Sequence, residues 1–166
     1  TADADLVQGA SSFSLGGQST AGGSLDASSG AAAVRGGDDG DSIATSGALT
    51  AIANSDFTAS GGSTTIFGVS SSAGTSGAET VAVGIDGGSG ADLIVSNSDI
   101  LANAASNLRQ NATSFSLGGT SAAGGTLTAS SRARGIDGGL DGDAIGATGR
   151  IDALASSTFT VGSTST

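Results

Sequence analysis

The chain has 166 residues, thirty of them Gly, and lacks Pro, Cys, Met, Trp, Tyr, His and Lys; fifteen acids against five Arg leave a net charge of −10. That balance excludes an electrostatic grip on nucleic acid or on anionic membranes, and zero Cys excludes a disulfide framework. With five Phe as the only aromatics, a compact globule has too few bulky side chains to offset chain entropy, so a repetitive scaffold of small side chains is expected instead.

The chain opens on Thr1 rather than Met, as expected of a processed chain or a piece of a longer one. In chain order, "SFSLG" (12–16), "GTLTAS" (125–130), "ARGID" (133–137), "RIDAL" (150–154) and "STFTV" (157–161) alternate apolar with small polar residues. Period two, Thr and Val content, and Gly-rich breaks between these stretches predict short strands and tight turns. The Gly-rich "LGGQSTAGG" (15–23) is followed by no Lys and reads as a turn rather than a phosphate loop. "DILANAASNLRQNA" (99–112) is the one stretch with a helical look, but its counterparts "ALTAIANSDFT" and "RIDALASSTFT" read as strands, so it is assigned to a strand too. No apolar stretch reaches the length of a transmembrane helix, so no membrane insertion is expected.

Internal repetition is the main signal. At an offset of 102, residues 1–64 align without a gap to 103–166, with 33 of 64 positions identical. A weaker copy lies at 51, aligning Val34, Ile85 and Ile136, then Ile43, Ile94 and Ile145, then Leu49, Ile100 and Ile151. Leu6, Phe57, Leu108 and Phe159 alternate in size, as do Phe13, Thr64, Phe115 and Thr166. Residues 1–166 therefore form one continuous array with a partial unit at 1–13 and units at about 13–63, 64–114 and 115–166.

The expected fold is all-β, a β-solenoid (parallel β-helix) of 51-residue units paired into a 102-residue super-repeat. Each unit would wind as two rungs of roughly 25 residues or three of about 17, with aliphatic rows and glycine corners enclosing a largely dry interior. Tandem Ig-like β-sandwiches are the alternative, although their cores want more bulky residues.

"IANSDFTASGG" (52–62) and "LASSTFTVG" (154–162) resemble rungs of the parallel β-helices in bacterial surface adhesins. "GGDDGDSIA" (36–44), "GGSGADLIV" (87–95) and "GGLDGDAIG" (138–146) resemble the calcium-binding nonapeptide of repeats-in-toxin proteins. The resemblance implies a large secreted or cell-surface bacterial protein: a filament, a surface layer or an adhesin stalk. It also implies Asp39, Asp41, Asp92, Asp141 and Asp143 as Ca²⁺ ligands, with Ile43, Ile94 and Ile145 as the buried aliphatic residue. In the family pattern an ion is shared between successive nonapeptides, whereas each box here is isolated. The other reading of the boxes is a turn at a rung corner.

Without His, Cys or Lys the usual nucleophile–base pairs cannot be built, so no enzyme is expected. An ice-binding or carbohydrate-binding β-helix is the alternative function, but sugar clefts usually present Trp or Tyr platforms and Thr does not recur strictly between units. The expected partners are copies of the chain itself or adjacent repeats of one polypeptide.

Overall fold

The computed structural model describes residues 1–166. Regular structure is entirely β, in chain order β1 (Ala2–Ala21), β2 (Ser24–Gly37), β3 (Ser42–Thr45), β4 (Leu49–Gly88), β5 (Leu93–Ser96), β6 (Ile100–Asp137), β7 (Ala144–Ala147) and β8 (Ile151–Ser165). Every ladder is parallel, and the offset between partners is constant: Ala2 pairs with Ala53, Ala53 with Ala104, and Ala104 with Ala155. One sheet joins β1, β2, β4, β6 and β8, and a second runs β3–β5–β7. The segment 99–112, with its helical look, lies almost wholly in β6. Parallel pairing is compatible with a parallel β-helix and removes the Ig-like alternative, whose sheets are antiparallel.

The chain therefore returns beside itself at the sequence spacing that separates Asp41 from Asp92, 51 residues, and each such stretch is called a layer below. No strand pairs at a separation of 17 or 25, so a layer is neither two rungs nor three. The reason lies in the glycines. Every layer bends at the same places, so a bent backbone faces an equally bent copy and the ladder continues round the corner. Gly-rich runs read in the sequence as strand ends, such as Gly61-Gly62, lie inside β4 and keep their partners.

β4 has 40 residues, which would span about 130 Å if straight. It is folded back on itself, since the Ser63 and Ser70 hydroxyls touch at 2.7 Å and Thr80 reaches Ser55 at 3.2 Å. The reversal sits near Gly68, where φ is 126°. A Cβ there would strike the Gly17 carbonyl of the layer before, so glycine is required twice over. Each layer thus has two walls that face each other and close in a narrow tip. At the wide end β3, β5 and β7 add a short third side, where Ile85, Ile94 and Ile100 meet in one buried cluster with Ile43.

From wide end to tip the interior changes character. The isoleucine cluster gives way to an alanine cluster of Ala51, Ala53, Ala82, Ala102 and Ala104. Beyond it Phe57, Ala78 and Leu108 form a third cluster, against which Leu25 and Leu127 pack. Between the alanine cluster and the Phe57 cluster lie the buried hydroxyls of Ser55 and Thr80, and beyond the third cluster, at the tip, that of Ser70 against Ser63. The interior is therefore not only aliphatic, as the composition had suggested; hydroxyl rows separate the apolar ones.

Side-chain size is balanced across the walls. The row Leu6, Phe57, Leu108, Phe159 runs along one wall, and the row Leu25, Ser76, Leu127 runs along the other. Where the first wall gains a ring, the second drops to Ser. Paired Leu residues thus alternate with Phe and Ser, which holds interior volume nearly constant from layer to layer. This is the packing behind the 102-residue periodicity.

Charge is segregated as well. Residues 6–25, 57–78 and 110–131 contain no charged side chain, and the register stacks these stretches on one another. The tip half of the molecule is neutral, and the wide half carries the acids.

Candidate functional site: the stacked aspartate row

At the wide end the ladder is interrupted by the Gly–Asp boxes. The chain enters each box through a glycine of positive φ, at Gly37, Gly88 and Gly139. Two residues later Asp39 and Asp141 hold φ values of 76° and 81°, with Gly90 at 106° in the box between them. Asp is one of the few side chains that tolerates this left-handed region. All three boxes share one turn geometry, and the layers superpose them.

The turn leaves backbone N–H groups that the ladder does not use, and carboxylates of the next layer take them. Asp92 Oδ1 accepts from the Asp41 N–H at 2.7 Å, and Asp143 Oδ1 accepts from the Asp92 N–H at 3.0 Å. Asp141 Oδ2 accepts from the Gly90 N–H at 3.2 Å. Carboxylate acceptors make such bonds stronger than neutral ones. Backbone bonds on either side, Ser89 N–H to Gly37 O before the turn and Leu93 N–H to Asp41 O after it, both 2.8 Å, keep the corner in register.

The sequence-predicted ligands fall into two rows. Asp41, Asp92 and Asp143 form an inner row in which Asp92 is 2% exposed. Asp39 and Asp141 form an outer row, exposed and separated by Gly90. Of the aliphatic residues that follow, Ile43 and Ile94 are buried, while Ile145 stands half-exposed in the outermost layer, which nothing covers. No group of three or more acidic side chains gathers around one point. What the inner row does have is unused acceptors: Asp41 Oδ2 and Asp92 Oδ2 are buried without a hydrogen-bond partner. Each lies against the glycine that opens its box, Gly36 and Gly87, where a Cβ would stand 2.7 and 2.5 Å from it.

Other polar side chains also tie layers together. Arg35 pairs with Asp86 across one layer boundary at 3.0 Å. Arg134 bonds Asp137 and Arg150 bonds Asp152, both within one layer. On the outer wall Asn54 donates to Asp3 at 2.9 Å and Asn107 donates to Asp56 at 2.8 Å, each 51 residues apart.

Sequence reasoning missed the hydroxyl row through the interior. Ser131 donates to Ser106 at 3.0 Å, Ser106 stands 2.6 Å from Thr80, and Thr80 donates to Ser55 at 3.2 Å. A hydroxyl carries one proton, and Thr80 gives its own to Ser55, so Ser106 is the donor to Thr80; the Ser131 hydroxyl also reaches the Ser156 carbonyl at 2.7 Å. The row's signal was available: positions 29, 80 and 131 are Ser, Thr and Ser, and positions 55, 106 and 157 are all Ser.

No family model matches the chain, and no curated protein or solved structure is significantly similar to it.

Proposed function

We propose that the chain is a non-catalytic structural module, a β-solenoid with a single long coil per repeat unit, from a large secreted or cell-surface bacterial protein. Its work is to make a long, stiff object from a short pattern, as a filament, surface layer or adhesin stalk requires. The observation that carries this reading is the unbroken register: the pairing offset never changes from β1 through β8. Each coil is a template for the next, so the body lengthens by adding coils without any change of geometry. The open backbone edges of the outermost coils suit axial contact with further copies or with adjacent repeats of one polypeptide. Surface location rests on the acidic, Cys-free, Gly/Ser/Thr-rich composition and on the resemblance to bacterial surface proteins. Fibre diffraction of aligned protein should give a meridional reflection near about 4.8 Å, and electron micrographs should show rods. Globular particles of constant diameter would sink the reading.

Calcium belongs to the same proposal through the inner aspartate row. The orphaned oxygens of Asp41 and Asp92 favour a cation that would bridge coils and staple the wide edge. Calorimetric titration with calcium after chelation tests this directly.

A further inference from the structure

The tip of the molecule carries a feature that axial stacking does not use. Three of the five Phe residues, Phe13, Phe67 and Phe115, lie outside the core at this narrow edge, beside Leu15, Val69 and Leu117, and these six side chains are 41–69% exposed. In a chain so poor in aromatics, most of the rings stand on the surface. Outward orientation follows from strand parity: Ser63 and Thr65 are buried, so the intervening Thr64 and its row partners Phe13 and Phe115 point away from the interior. The ridge is also fixed in place. Phe67 lies over Gly118 of the next layer, where a Cβ would come within 2.9 Å of the ring.

Two properties select what covers this ridge. First, it lies in the neutral half, on the stretches 6–25, 57–78 and 110–131 that hold none of the chain's twenty charged side chains. Two copies that each carry −10 repel where their charged wide halves approach, so side by side the tip is where they meet at least cost. Second, the Phe rows are notched. Along one row Phe13 and Phe115 flank Thr64, and along the neighbouring row Phe67 is flanked by Gly16 and Gly118. Rings in one row therefore recur every second layer, about 9.6 Å apart, with a gap one ring wide between them. Only a partner with the same layer spacing fills every gap along the edge.

We propose that the neutral Phe/Leu ridge is a lateral interface between two copies of this chain, their rings interleaving along the tips. The contact grows with every layer, so two long arrays pair side by side far more tightly than two short ones. It is independent of end-to-end stacking, since it uses side chains of the tip and no open backbone edge.

The test is sedimentation equilibrium of the intact 166-residue chain together with mass-per-length measurement in electron micrographs. A single rod of this composition has about 1 kDa per ångström, from 15.3 kDa over 166 residues and 51 residues per layer of about 4.8 Å. The interface predicts about 2 kDa per ångström, and association that strengthens with added salt as the −10 charges are screened. The variant Leu15→Ser/Leu117→Ser should raise the dimer dissociation constant at least tenfold, whereas Leu93→Ser at the wide end should leave it unchanged. Phe13→Ser/Phe115→Ser should do the same as the leucine pair, so loss of folding in one variant leaves the other to decide. The proposal is overturned by equal association of the leucine variant and wild type, by a single-rod mass per length, or by binding of lipid vesicles to the ridge of a chain that stays single. Doubled mass per length without growth in rod length would uphold lateral pairing while removing axial stacking.

Discussion

The Thr80 hydroxyl stands 2.6 Å from that of Ser106, although the two residues come from opposite walls and different layers. Thr80 also donates to Ser55, so one side chain joins three wall segments in an interior without bulk water. Thr80→Val keeps the shape and removes the hydroxyl. It should cost about 1–3 kcal/mol, because Ser55 loses its donor and Ser106 its acceptor. The triple variant Ser55→Ala/Thr80→Val/Ser106→Ala leaves fewer orphans and should lie closer to wild type than the single variant. Urea unfolding followed by circular dichroism measures both; a neutral Thr80→Val would mean that the row adds nothing to stability.

Asp92 offers a second test, since its Oδ1 serves the Asp41 N–H while its Oδ2 serves nothing. Asp92→Ala removes the acceptor and should lower stability by about 1–3 kcal/mol. Asp92→Asn keeps an acceptor at Oδ1 and deletes a buried charge, so in chelator it should match wild type to within about 1 kcal/mol. In millimolar calcium the wild-type unfolding midpoint should rise and that of Asp92→Asn should not. A wild-type midpoint that ignores calcium removes the ion from the proposal and leaves the row as a hydrogen-bonded staple.

Interior volume gives a third. Phe57→Leu alone leaves a void and should cost about 1 kcal/mol or more. Ser76→Leu alone crowds the ring and should cost about 1–3 kcal/mol. Together they convert the second layer to the Leu–Leu arrangement of its neighbours, so the double variant should be less damaged than the sum, with a coupling of about 0.5–3 kcal/mol. Strict additivity in a double-mutant cycle would show that the two rows do not compensate.

Much of this architecture was legible because self-comparison finds residues in the same phase of a repeat. Val34, Ile85 and Ile136 align in the sequence and are register partners on neighbouring strands of the sheet. What self-comparison does not find is which phases meet across the interior. The contact between Ser55 and Thr80 depends on where the chain reverses, near Gly68, and nothing in the sequence distinguishes that glycine from the other seven of positive φ. Gly61-Gly62 and Gly68 read alike as breaks, yet the first pair lies within a wall and the second makes the tip. That ambiguity produced the expectation of two or three short rungs in each unit.

The aspartates were found by type and spacing, but their role was not. A Gly–Asp box looks the same whether its carboxylate holds an ion or a neighbouring amide. The distinction lies in the Asp92 Oδ1 contact to Asp41, which joins two boxes rather than closing one.

The register also decides how such a body yields to force. Tension drawn through the chain ends acts along the hydrogen bonds between layers, so these open one after another from the terminus until an entire layer of chain has come free. Each layer releases about 170 Å of slack while the remaining stack stays intact. Chain stacked in this manner pays out length gradually under load instead of parting at one point.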